Sequence, residues 1–221
     1  MTDETELQAA PGFVSEEVAE ELPGLRLDWI TVRGRRRSSP RPVVQRLAAL
    51  SNTYRGARAV ALRAQPIPRA YRTFFRQIGL DPDVDRIPIE DAVVGRLFHG
   101  AFRSRDLIDD ALLIALVETG VGVWALDAAL VAAGGLGIRT SFEGERLGSS
   151  EIGNHLQGGR LVVADAEHTH ALLFGEIARG HEVTHRTERI ALFTVAVDGV
   201  PAIHLEEALW VCTEVLAAVP D

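Results

Sequence analysis

Five consecutive residues, His181-Glu182-Val183-Thr184-His185, spell the HExxH string with which zinc hydrolases hold their metal. On a helix, histidines four apart face one ion and the glutamate between them serves as general base. The surroundings argue for a different use. Gly180 precedes the first histidine, Arg179 and Arg186 flank the string, and no long apolar helix supports it. His181 and His185 are the weak metal candidates, and the expected reading is a polar connector between strands. His168 and His170 stand two apart, on one face of a strand, but two ligands make no zinc site without a third. GSSEIG at 148–153 lacks the spacing of a GxSxG nucleophile elbow, and GGLG at 134–137 lacks the residues of a phosphate loop. No motif calls for a cofactor.

Arginine carries the other chemistry. All 23 basic residues are arginine, and their distribution says more than the net charge of −8. Residues 1–28 sum to −7, residues 29–76 to +12 with no acid among them, and residues 77–221 to −13. An acid-free run of arginines suits phosphate oxygens, which the guanidinium fork binds in pairs. Arg35, Arg36, Arg37, Arg69, Arg72 and Arg76 are the candidate nucleic-acid contacts. The alternative is that acids from elsewhere in the chain neutralise the run inside the fold.

These residues need elements to place them. Residues 1–14 read as a flexible start. Ser15 is expected to cap an acidic helix that ends at Pro23-Gly24, and the alternation in LRLDWITVRG marks a strand. GRRRSSPRP, 34–42, is a loop presenting three arginines, followed by a helix from Val43 toward Tyr54. Between Ala70 and Asp127 the chain packs three helix signals. Pro68 opens a helix with Tyr71, Phe74, Phe75 and Ile78 on one face, stopped by Gly79; Pro88 opens a second, ending at Gly100; a third runs from about Ser104 to Gly120. Val121–Leu126 reads as a buried strand, with Asp127 capping the turn beyond it. Short apolar runs at 137–142, 160–164, 170–174 and 190–197 are strands, and Pro201 opens a last helix. Helices early and strands late argue an α+β fold, one domain over 15–221, with a sheet or sandwich formed mostly by the second half.

Composition sets outer limits. A chain of 221 residues that is 47% apolar can bury one large core. It holds no run of uncharged apolar residues long enough to span a bilayer, and its acidic first residues are unlike a signal peptide, so no membrane partner and a cytoplasmic location are expected. A single cysteine, Cys212, excludes an internal disulfide and reads as a small buried hydrophobe in the last helix.

From YRTFFRQIGLDPDVDRIPIEDAVVGRL onward the chain resembles the free-standing proteins related to the B3/B4 domain of the phenylalanyl-tRNA synthetase beta subunit. The resemblance rests on Tyr71, Arg72, Gly79, Asp81, Pro82, Arg86, Glu90, Arg96 and Gly100. It continues through Asp110, the strand ending at Asp127, the strand bearing Arg139, the strand ending at Asp165, and Thr187, over roughly residues 65–200. It implies a compact α+β domain with tRNA or another RNA as partner, no cofactor, and a pocket near Glu90, Arg96, Asp110, Trp124, Asp127, Arg139 and Phe193 that could take a small amino-acid-like ligand. The oligomeric state is not implied.

In the synthetase this domain also hydrolyses wrongly charged tRNA. Here Trp124 stands where the family has a histidine, Leu113 where it has an asparagine and Phe193 where it has a glutamate. Each change removes a group that could position water and makes the pocket more apolar. RNA binding without the editing chemistry is therefore the expected function. The alternatives are an aminoacyl-tRNA or related ester hydrolase using Asp110, Asp127 or Glu90, and a zinc hydrolase using HEVTH, although HEVTH falls in the family's turn before Thr187.

Overall fold

The computed structural model describes residues 9–54, 56–148 and 155–218. It is an α+β fold with two four-stranded sheets. The first sheet is organised around β8 (Arg189–Ala196), whose last seven residues are all buried. β8 pairs antiparallel with β3 (Arg26–Arg33) on one side and β4 (Val123–Asp127) on the other. The register sets Trp29, Phe193 and Trp124 opposite one another across the three strands. Side chains alternate between the faces of a sheet, so these three aromatics share one face.

Helices cover this sheet. α2 (Arg41–Thr53) starts two residues earlier than its sequence pattern suggests, because Pro42 fits a first helical turn. α4 (Pro66–Gln77) buries Tyr71, Phe74 and Phe75, and the Tyr71 hydroxyl donates to the Val195 carbonyl at 2.7 Å, fixing the helix to β8. α5 (Pro88–His99) stops at Gly100, which adopts φ +82°, the left-handed conformation open to glycine. α6 (Leu107–Thr119) is capped by Asp106, whose carboxylate accepts the N–H groups of Ile108 and Asp109. It packs against α7 (Ala202–Ala217), in which Cys212 is fully buried. A short helix, α3 (Ala57–Ala61), was not expected from the sequence; none of its residues is buried, so no apolar stripe marked it.

The second sheet contains β5 (Gly137–Thr140), β6 (Leu161–Ala164) and β7 (Thr169–Leu172). Its fourth member corrects the expectation of a flexible start. Among the described residues of 1–14, Ala10–Pro11 form β1, antiparallel to β3, and Phe13–Val14 form β2, parallel to β5; residues 1–8 lie outside the described residues. Gly12 makes the crossing possible, since a Cβ there would stand 2.4 Å from the Leu136 carbonyl oxygen. Ser15 precedes α1 (Glu16–Glu21) as expected, but its hydroxyl makes no capping bond.

Candidate functional site

A cavity of about 820 Å³ opens between α5, the 101–105 segment, α6 and the start of β4. Trp124 and Phe174 give it aromatic surface, and Leu112, Leu113 and Leu116 add an aliphatic wall. The Trp124 ring is stacked on Phe193, with centroids 5.6 Å apart and planes 14° from parallel. Phe193 is 2% exposed, so it supports the indole from beneath and does not face a ligand itself.

Arginines surround this apolar surface. Arg96 is buried, gives its Nε–H to the Ser51 carbonyl at 3.0 Å, and lines the cavity. Arg86 and Arg103 are exposed at the rim and pair with no described residue. Arg105, also exposed, reaches Asp109 only at 4.0 Å. On α5, His99 lines the cavity and Phe98, 86% exposed, sets its ring edge-on to that imidazole.

Most carboxylates of the region are already engaged; Asp91 of α5, exposed and lining the same cavity, is the exception among the described residues. Asp110 is 1% exposed although it borders the cavity, and it accepts from the Ser39 and Ser104 hydroxyls at 2.5 Å each and from the Arg105 N–H at 2.9 Å. Glu90 is buried against Arg72, with Nη1 3.0 and 2.9 Å from its two oxygens. Asp127, three residues beyond Trp124 and so about 10 Å along the strand, accepts from the Thr187 hydroxyl at 2.7 Å and the Ala129 N–H at 3.0 Å. Arg139 belongs to the second sheet, bound to Glu145 and Thr169. Burial would raise the Glu145 carboxyl, but Arg139, Thr169 and the Phe142 N–H hold it down at about 2. The cavity thus unites Arg96, Asp110 and Trp124. Glu90 and Phe193 lie behind its wall, and Asp127 and Arg139 are not among its lining residues.

The early arginines divide between the two readings. Arg35 is exposed without a described partner, as is Arg69 on α4; Arg76, also exposed, acts on Asp83 only through its charge. Arg36 instead turns inward to the Val183 carbonyl at 2.9 Å, Asp106 at 2.5 Å and Asp109 at 3.2 Å. Arg72 does not belong to the exposed face of α4. It is 7% exposed and bridges Glu90 to Asp83, because the acids that neutralise it come from the turn and helix that follow. Arg37 is half-buried and engaged.

HEVTH is a connector, not a helix. His185 is exposed, whereas His181 is buried and joins a second cluster. His170 Nε2 lies 2.8 Å from Asp165, and His170 Nδ1 lies 2.8 Å from His181 Nδ1. Burial favours the neutral carboxyl of Asp165, yet N–H donors from Ala132, Glu167 and His168, with His170, hold it at about 2. An ionised Asp165 takes the His170 Nε2–H, so the neutral His170 accepts at Nδ1 and His181 donates from Nδ1. Burial pushes both imidazoles below their ordinary value, and for His181 the neighbouring histidines add to it. His168 stacks edge-on against His181 at 5.8 Å. Among the described residues no group of three or more His, Cys, Asp or Glu side chains is arranged to hold a metal ion. The serines of GSSEIG lie outside the described residues.

Phe174, Arg103 and Arg105 were not singled out from the sequence, and Arg86 entered only as part of the resemblance. RSR at 103–105, a basic run directly before a helix, was the available signal for the rim. Phe174 reads as the last residue of a strand; in the structure β7 ends at Leu172 and Phe174 turns back toward α4. No protein-family model matches the chain, and no curated protein matches it.

Proposed function

We propose that the protein binds RNA, tRNA being the class in view, with a terminal nucleotide in the cavity between α5, α6 and β4, and that it does so without hydrolysis. One observation carries the reading: a supported indole, Trp124, faces a cavity whose rim holds Arg86 and Arg103, neither in a salt bridge with a described acid, against the one unpaired carboxylate of Asp91. Aromatic surfaces take unstacked bases and arginines take the phosphates between them, the combination by which single-stranded RNA ends are bound. The ordered resemblance to B3/B4 domains points the same way. Non-hydrolytic binding is favoured because Glu90 is held by Arg72 and Arg63, and Asp110 and Asp127 each accept two or more hydrogen bonds, so that none of these three is poised as a base.

A gel shift with total tRNA at two salt concentrations, with polyuridylate and heparin as competitors, tests the reading. Retention of tRNA in the presence of excess heparin is expected. Binding that heparin abolishes would reduce the protein to a polyanion binder, and no retention at low salt would end the proposal.

A further inference from the structure

Phe174 alone among the described non-glycine residues has a positive φ, +56°. It occupies the third position of the turn Leu172–Gly175, closed by the Gly175 N–H to the Leu172 carbonyl at 2.9 Å. Turns with a left-handed third residue normally place glycine there, and here the glycine follows one position late. Strain of this kind persists where the surroundings over-determine it. Four rings do so: Tyr71, Phe74 and Phe75 of α4 and Trp124 of β4 stand around the Phe174 ring with centroids 5.6, 5.7, 5.5 and 5.7 Å away. Phe174 is nevertheless only half-buried, and it lines the cavity beside Trp124. A ring on the tip of a strained turn thus fills an aromatic box that opens onto arginines.

We infer that Phe174 is a gate and a stand-in: its ring occupies the place of the ligand's own planar ring, and a nucleobase enters by displacing it and packing against Trp124. This rests on the cavity being the RNA site proposed above. The ligand class follows from what surrounds the box. The occupant must be flat and aromatic to replace a phenyl ring among four others, and must carry an anion to reach Arg96 and Arg103, which describes a nucleoside monophosphate or the last nucleotide of a strand. Displacement returns residue 174 to ordinary backbone angles, so release of strain offsets part of the lost ring contacts. Apparent affinity is reduced by the fraction of molecules with the gate closed.

The test is titration of the full chain with AMP and, separately, ribose 5-phosphate, read by tryptophan fluorescence and calorimetry, for the wild type, Phe174→Ala, Phe174→Gly and Trp124→Leu. Phe174→Gly suits φ +56° and keeps the turn, so a folding failure of Phe174→Ala does not decide the matter. Phe174→Gly is expected to bind AMP about tenfold more tightly than wild type, the factor that a competent fraction of about one tenth imposes. Ribose 5-phosphate, having no base, should bind all the folded variants equally, and Trp124→Leu should lose the AMP response. AMP affinity that is unchanged or weakened in Phe174→Gly overturns the gate. Gel shifts with tRNA on the same proteins separate the two ideas: an AMP gain without tRNA retention defeats the RNA reading and leaves the gate standing, whereas retention without an AMP gain does the reverse.

Discussion

Arg72 and Glu90 form an ion pair closed to solvent, Nη1 to Oε2 at 2.9 Å, with side chains 9% and 4% exposed. Removing Arg72 leaves the buried Glu90 with only Arg63, at 3.4 Å, as a charged partner. Arg72→Met should cost about 3–5 kcal/mol in urea unfolding, and the double change with Glu90→Leu should recover most of it. Arg69→Ala and Arg76→Ala, on the exposed side of the same helix, should stay within about 0.5 kcal/mol of wild type. Equal losses at all three arginines would show that Arg72 is not held as described.

The histidine cluster makes stability depend on pH in a definite direction. His170 and His181 have folded values below the ordinary 6.5, so the unfolded chain binds more protons as pH falls through that value, and stability drops on the acid side of about pH 6.5. Asp165 adds a second loss. Its value of about 2, against an ordinary 3.8, contributes stability that is complete above 3.8 and disappears as pH falls toward 2. Thermal melts from pH 8 to pH 4 should show Tm falling below about pH 6.5, with a shallower fall in His170→Asn. A flat profile would mean that these imidazoles are not buried neutral.

For RNA binding, Arg103→Ala and Arg86→Ala should each weaken tRNA retention and reduce the slope of log affinity against log salt by about 1. Phe98→Ala should weaken it with the slope unchanged, because a stacked ring releases no counterions. Arg160→Ala, exposed just before β6 of the second sheet and not among the cavity's lining residues, distinguishes a local site from a general basic surface: an effect as large as that of Arg103→Ala would favour the latter.

Cys212 should resist modification. Burial pushes its thiol up to about 12, and the side chain is fully enclosed in α7. A thiol reagent at pH 8 should report no reaction until denaturant unfolds the chain, and rapid labelling of the native protein would contradict the packing of α7 against α6.

Much of this architecture was legible in the residues. The aromatic face of α4, the proline and glycine limits of α5 and the alternation of β3 all follow from local rules, and each lies where periodicity places it. What could not be read was long-range pairing. Nothing near Arg72 announces that Glu90 will neutralise it, so a residue that looks like a phosphate contact becomes an interior strut. His181 was conspicuous for its spacing to His185, yet its partner is His170, eleven residues earlier, reached because Ile177 and Ala178 pair back onto Ala171 and His170 of β7. Phe174 was hidden for a different reason: its local sequence favours a continuing strand, and only four rings from two distant elements hold it in a turn that its own backbone resists.

The segment that contributes β1 and β2 flanks Gly12 and covers Asp28 and Trp29 on the edge of β3 in one sheet and Gly137 and Ile138 on the edge of β5 in the other. Removal of Ala10–Val14 would uncover backbone donors and acceptors on the edges of both sheets at once, lengthening the stretch of each edge able to recruit a strand from another molecule. Loss of this short stretch would therefore show itself as self-association before it showed itself as unfolding.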